Sequence, residues 1–177
     1  GEHLPYAVAM GPVGVVIVGT GGAGRETHCL LLDVIKQSRN PIEFRGFVAL
    51  DNPDLELLER LGVEFLGDPR NLANRILSAS GWSYSLGIGN PIHRRHMDDI
   101  LSQQDLKPFT LIPPTVQIGP DVDIGHGAVV CANTVITTHV QIGVSTQLNV
   151  GCVVGHDAII GDYVTLAQSV NIAGNVT

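Results

Sequence analysis

Residues 112–177 read, in blocks of six, IPPTVQ IGPDVD IGHGAV VCANTV ITTHVQ IGVSTQ LNVGCV VGHDAI IGDYVT LAQSVN IAGNVT. An aliphatic residue opens every block: Ile112, Ile118, Ile124, Val130, Ile136, Ile142, Leu148, Val154, Ile160, Leu166 and Ile172. The eleven blocks fill 66 residues without one insertion. Four positions after each aliphatic stands a small or β-branched residue, such as Ala128, Thr134, Cys152 or Ala158. The position directly after the aliphatic is often Gly (Gly119, Gly125, Gly143, Gly155, Gly161) or Asn149, residues suited to tight corners. This period is neither helical nor a plain strand alternation. It fits a short strand, a corner and another short strand, repeated. One block cannot bury its aliphatic residue alone, so the blocks must wind and stack into a solenoid.

The preceding stretch has another rhythm. Val15–Val18 is a buried-strand run, followed by Gly19-Thr20-Gly21-Gly22-Ala23-Gly24 and a helical pattern over 25–36 with Leu30, Leu31, Val34 and Ile35 on one side. A second strand is expected over 44–51, ending at Asp51-Asn52, then a short helix over 55–61. A third strand is expected over 84–88, closing at Gly89-Asn90-Pro91, with a helix over 92–104. Alternating strands and helices imply a parallel sheet with ligands at the carboxyl ends of its strands. Glycines at the first turn allow a phosphate to approach main-chain N–H groups at a helix N-terminus, or else serve helix–strand packing. About a hundred residues supply one βαβαβ half, which favours a mononucleotide-sized ligand such as a nucleotide-sugar over NAD. The expected domains are 11–105 and 106–177.

Bulk composition narrows the partners. The chain is 44% hydrophobic and 15% charged, with a net charge of −7, which offers no electrostatic footprint for nucleic acid or an anionic membrane. No apolar run reaches the roughly 18 residues of a bilayer span. The residues before Met10 lack a basic segment followed by an apolar one, and Met10 is a candidate natural start after Gly1–Ala9. Cys29, Cys131 and Cys152 are odd in number and far apart, with no metal spacing and no disulfide framework, as expected for a reducing cytoplasm.

The segments VIVGTGGAG at 16–24, LGIGN at 86–90 and LNVGCVVGHDAIIGDYVTLAQSVNIAGNV at 148–176 together resemble one group of enzymes. These are the sialic-acid O-acetyltransferases and bacterial sugar N-acetyltransferases, hexapeptide-repeat acyltransferases with an N-terminal Rossmann-like domain. The resemblance runs from about residue 14 to the last residue. It implies an α/β Rossmann-like domain followed by an all-β left-handed parallel β-helix, with three hexapeptides to each triangular coil. Residues 18 apart would then be stacked, about 4.8 Å from coil to coil.

The resemblance also implies chemistry: acetyl transfer from acetyl-CoA, as co-substrate and without a metal, to an amino or hydroxyl group of a nucleotide-linked or sialic-type sugar. His156 takes the place of the family's general base and Asp157 that of the acid that raises its basicity. Imidazole is the side chain suited to proton transfer near neutral pH. Substrate contacts map to Gly21, Gly22, Ala23, Asp51, Asn52 and Gly89. Ala23 stands where relatives often have His, Asn52 where they have a second acid, and Thr165 where they have a His that contacts the cofactor. Gly174 is the second cofactor-side position: it lies 18 residues after His156, where a missing side chain would leave room for the acyl group. His139 is expected beneath Asp157, where it is either a solvated surface residue, the favoured reading, or a candidate to share the carboxylate. Relatives assemble as homotrimers with the active site between neighbours, and they continue for several more hexapeptides, so a C-terminal truncation is expected.

Two other functions compete. A zinc hydro-lyase like the γ-type carbonic anhydrases needs three converging imidazoles; His126, His139 and His156 are 13 and 17 residues apart, which does not gather them on one chain. A non-catalytic scaffold, such as an ice-binding solenoid, would show ranked Thr rows. The outward positions are instead mixed: Asp123, His126, Asn133, His139, Asn149, His156 and Asp162. Cys152 is expected inside the coil, which argues against an acyl-carrying thiol.

Overall fold

A computed structural model describes residues 13–76 and 81–177. The reading of Gly1–Ala9 and Met10 lies outside the described residues. The first unit comprises β1 (Val13–Val18), α1 (Gly22–Gln37), β2 (Ile42–Val48), α2 (Leu55–Leu61), β3 (Phe65–Gly67), α3 (Leu72–Arg75), β4 (Trp82–Leu86), α4 (Pro91–Ser102) and β5 (Lys107–Pro108). Its five strands are parallel in the order β3-β2-β1-β4-β5. The chain therefore winds outward through β2 and β3, then crosses back to β4 on the other side of β1. The crevice at that reversal opens at the carboxyl ends of β1 and β4.

β1 is apolar throughout because both of its faces are covered. Val15 and Ile17 pack with Leu30, Leu31, Phe47 and Leu58 under α1 and α2. Val16 and Val18 pack with Leu72, Tyr84, Met97 and Leu101 under α3 and α4. Helix starts follow local chemistry. The Asp54 carboxylate accepts from Leu57 N at 3.0 Å, and the Asn90 side chain accepts from Ile92 N and His93 N. Pro91 opens α4 because the first helical position needs no N–H donor. The strands expected over 44–51 and 84–88 run instead over Ile42–Val48 and Trp82–Leu86, each starting two residues earlier and ending short of the crevice. The short edge strands β3 and β5, too brief for periodicity, were not expected. β5 pairs with β4, so the sheet extends past residue 105.

The repeats form β6 (Gln117–Ile118), β7 (Val122–Ile124), β8 (Val129–Val130), β9 (Val135–Ile136), β10 (Val140–Ile142), β11 (Gln147–Leu148), β12 (Val153–Val154), β13 (Ile159–Ile160), β14 (Thr165–Leu166) and β15 (Asn171–Ile172). They stack as three parallel sheets, β13-β10-β7, β14-β11-β8 and β15-β12-β9-β6. Partners are 18 residues apart, as in Gln147 with Val129 and Thr165. The expected triangular coil is present. Ile136, Leu148 and Val154 fill its interior together with Ala128, Thr134, Cys152 and Ala158. Asn149, expected outside, is buried, and its amide donates to Leu166 O at 2.8 Å.

The corners are made differently from the sequence expectation. Positive φ recurs every six residues at Asp121, Gly127, Asn133, His139, Ser145, Gly151, Asp157, Tyr163, Ser169 and Asn175, three positions after each aliphatic from Ile118 onward. The glycines directly after the aliphatic do not take that conformation. They are needed for coil-to-coil approach: a Cβ on Gly125 would lie 2.6 Å from Gly143 C and Val144 N, and one on Gly155 would lie 2.6 Å from Gly174 N. Gly125→Ala is expected to destabilise the protein by about 1–3 kcal/mol. Gly22→Ala, whose Cβ would meet nothing within 4 Å, is expected to stay within about 0.5 kcal/mol. Denaturant unfolding of the two variants checks the contrast.

Candidate active site

His156 and Asp157 occupy the corner between β12 and β13. Main-chain bonds fix it from both sides: Asp157 N donates to Thr138 O at 3.2 Å in the coil below, and His156 O accepts from Asn175 N at 2.9 Å in the coil above. Asp157 has φ of 59°, and this left-handed turn brings its carboxylate back to the neighbouring ring. Nδ1 of His156 lies 2.7 Å from Asp157 Oδ2, with both side chains more than half exposed. An ionised carboxylate only accepts, so Nδ1 carries the proton and Nε2 presents its lone pair. Nε2 has no hydrogen-bond partner among the described residues.

One expectation about the surroundings changes and one alternative is decided. A Cβ on Gly174 would lie 2.6 Å from His156 Cε1 and Nε2. The missing side chain makes room for the imidazole itself rather than for an acyl group. His139 does stack beneath Asp157 but does not share it. Its Nε2 is 3.5 Å from Asp121 Oδ2, one coil lower, and its Nδ1 is 2.8 Å from Thr138 Oγ1. Both nitrogens of His139 thus face side chains, whereas Nε2 of His156 faces none among the described residues. Among the described residues, no three His, Cys, Asp or Glu side chains converge to hold a metal ion.

The second part of the site lies in the sheet unit. A cavity of about 370 Å³ sits at the crevice and is lined by Thr20, Gly21, Asp51, His93 and His96, among others. Of the expected substrate contacts, Gly21 and Asp51 line it, while Gly22, Ala23, Asn52 and Gly89 do not. The glycines divide by role. Gly24 is a packing residue, since a Cβ there would collide with Gly19 O, and a Cβ on Gly87 would lie 2.5 Å from Gly24 Cα. Gly21 and Gly22 face open space. α1 has no side-chain N-cap and no acid in its first turn, which leaves its first N–H groups for an anion. His93 and His96 were missed in the sequence reading. Their one-turn spacing directly after the Asn90-Pro91 helix start was the signal available. A larger cleft of about 580 Å³, between Arg45, Arg75 and Trp82 near the amino ends of the strands, gathers none of the expected residues.

Thr165 is placed on neither wall of this cavity nor beside His156. It lies on the β8–β11–β14 face, where its hydroxyl donates to Gly89 O and accepts from Arg94 Nη2, each at 2.9 Å. Arg94 is buried between the units, and burial lowers its guanidinium to a pKa of about 10. One turn along, the buried Asp98 accepts from the hydroxyls of Tyr84, Ser145 (2.8 Å) and Tyr163 (2.7 Å). Burial, then the Asp98 carboxylate, pushes the Tyr163 hydroxyl up to about 12. The sheet unit thus covers the β8–β11–β14 face and its corner at Ser145 and Tyr163. His156 stands at the corner between the other two faces, across the triangle from the cavity.

No protein-family model matches the chain, and no curated protein matches it. Solved structures do. A mutant of perosamine N-acetyltransferase from Caulobacter crescentus, in complex with CoA and GDP-perosamine, is similar at 25% identity with a TM-score of 0.76, over 94% of this chain and 73% of that one. WeeI from Acinetobacter baumannii AYE shares the fold at 22% identity and a TM-score of 0.75, over 93% of this chain and 73% of that one. So does the acetyltransferase domain of PglB from Neisseria gonorrhoeae FA1090, in complex with acetyl coenzyme A, at 19% identity and a TM-score of 0.54, over 93% and 86%. The short parallel strands fit the left-handed β-helix fold of such acetyltransferases. Among the described residues no helix is long and apolar enough to cross a membrane.

Cysteine placement bears on the chemistry. Cys152 lies inside the coil with its thiol pushed up by burial, and burial raises Cys131 to about 12. Cys29 is exposed. A thiol reagent such as DTNB is expected to modify Cys29 alone in the folded protein and all three cysteines after denaturation.

Proposed function

We propose that this chain is an acetyl-CoA-dependent sugar acetyltransferase, acting on the amino group of a nucleotide-linked amino sugar with His156 as general base. One observation carries the reading: Nδ1 is held by Asp157 at 2.7 Å, while Nε2 is free at a corner. The structural neighbour that holds both CoA and GDP-perosamine supports the choice of co-substrate and of acceptor class. The two expected units divide the work: 11–105, a Rossmann-like unit, holds the nucleotide, and 106–177 supplies the base.

The reaction follows from the dyad. The acceptor nitrogen attacks the thioester carbonyl carbon, and Nε2 of His156 takes the proton that nitrogen must lose as the C–N bond forms. The C–S bond then breaks, and the leaving sulfur takes that proton back from Nε2. Asp157 stabilises the imidazolium between the two transfers, and general-base help of this kind supplies roughly 10²–10⁴-fold. In the sheet unit, the α1 N-terminus meets the diphosphate, Asp51 meets nucleoside hydroxyl or amino groups, and His93 and His96 flank the phosphates. Because the cavity and His156 lie on opposite sides of one chain, a neighbouring copy must bring the base to the sugar. A homotrimer of β-helices meets that need.

His156→Ala is expected to lower turnover at least about a hundredfold with both KM values little changed, and Asp157→Asn about tenfold. Thiol release against UDP- and GDP-linked amino sugars measures both. A near wild-type rate in folded His156→Ala removes the imidazole from the mechanism. Replacing both His93 and His96 by Ala is expected to raise the nucleotide-sugar KM about tenfold or more without altering the acetyl-CoA KM.

A further inference from the structure

Seven acceptors surround the five N–H groups of Arg94. Nε donates to Ser145 O at 2.8 Å. Nη1 faces Ile88 O at 2.7 Å, Gly89 O at 3.2 Å and Gln147 Oε1 at 3.4 Å. Nη2 faces Tyr163 O at 2.6 Å, Val164 O at 3.1 Å and Thr165 Oγ1 at 2.9 Å. All seven are neutral oxygens. Two belong to the loop after β4 and five to two successive coils of the β-helix. The Thr165 hydroxyl closes the ring by donating to Gly89 O, so the Gly89 carbonyl is held from both units.

We infer that Arg94 and Thr165 are positioning residues for the acceptor sugar: they lock the Ile88–Gly89 loop, and with it the nucleotide cavity that Ile88 lines, to the β-helix. This rests on the reading of the chain as a nucleotide-sugar acetyltransferase. A cation with only neutral partners is an expensive way to glue two surfaces, because desolvating a guanidinium is repaid only by many well-placed acceptors. Its geometry does something an apolar contact cannot. A planar fork aimed at successive carbonyls fixes the angle between the units as well as their separation. That angle matters because the base stands across the triangle from the cavity. The sugar reaches a neighbouring copy's imidazole only if the cavity is held at one orientation on its own β-helix, and small misplacements of reacting groups are costly in rate. Thr165 then serves the acceptor side of the reaction, although it stands at a position whose family counterpart contacts the cofactor.

Steady-state thiol release by the full chain, with a panel of UDP-, GDP- and dTDP-linked amino sugars varied against acetyl-CoA, separates the roles. Thr165→Val removes the hydroxyl without burying a new charge. It is expected to raise the nucleotide-sugar KM about tenfold while the acetyl-CoA KM stays within about twofold, and Thr165→Ser is expected to restore it. Arg94→Lys, which keeps the charge but loses the fork, is expected to lower kcat/KM for the nucleotide-sugar about thirtyfold or more, again with the acetyl-CoA KM unchanged. The inference is overturned if Thr165→Val raises the acetyl-CoA KM instead, which would make Thr165 a cofactor contact. It is also overturned if both variants lower only the melting temperature and leave every KM as it was. A wild-type chain inactive on the whole panel defeats the proposed function as well, whereas an active wild type with indifferent variants defeats this inference alone.

Discussion

The eighteen-residue register governs this molecule. Each coil satisfies its main-chain donors and acceptors on the coils above and below, so no residue can be inserted without moving every later side chain to another face. The interior accepts a branched aliphatic and a small or β-branched residue from each side, and the corner must pass through positive φ once per side. Those demands explain why Asp, Asn, Ser and Gly supply most of the corner residues, since they tolerate the left-handed conformation best. They also explain the glycines that precede the corners, where neighbouring coils approach too closely for a Cβ.

The same register creates the His156–Asp157 pair. Asp157 is a corner residue with positive φ, and that backbone reversal folds its carboxylate onto the residue before it. His139 holds the equivalent corner one coil below but follows a threonine instead of a histidine. Its own ring turns down toward Asp121, the corner residue of the next coil. One column of corners thus contains a carboxylate, an imidazole and a carboxylate, and only the last is joined to a second imidazole with a free nitrogen. The difference between a candidate base and a surface histidine comes down to which residue precedes the corner.

The junction between the units follows another logic. α4 sends Arg94 and Asp98 inward, one turn apart, without pairing them. The guanidinium is solvated by carbonyls and the carboxylate by three hydroxyls. Burial is costly for each charge, and each is compensated by fixed dipoles that stand in for water. On its other side the same helix turns His93 and His96 toward the cavity at the crevice. A single twelve-residue helix therefore carries both a wall of that cavity and the buried side chains that join the sheet unit to the β-helix.

Much of this was legible in the sequence. The sixfold aliphatic period determined the solenoid, its interior residues and its eighteen-residue stacking. The apolar run of β1 with its Gly-rich turn determined the parallel sheet, and the adjacent His156-Asp157 determined the dyad. Each of these depends on residues close together in the chain or on strict repetition, which local pattern can encode. Tertiary structure decided the rest: that Gly24 packs while Gly21 faces the cavity, that Gly174 shelters the imidazole, that Thr165 bonds Gly89, and that His156 stands across the triangle from that cavity. The contacts of Arg94 with the β-helix span 51 to 71 residues. They exist only at one docking angle of the two units, and no periodicity within either unit specifies that angle.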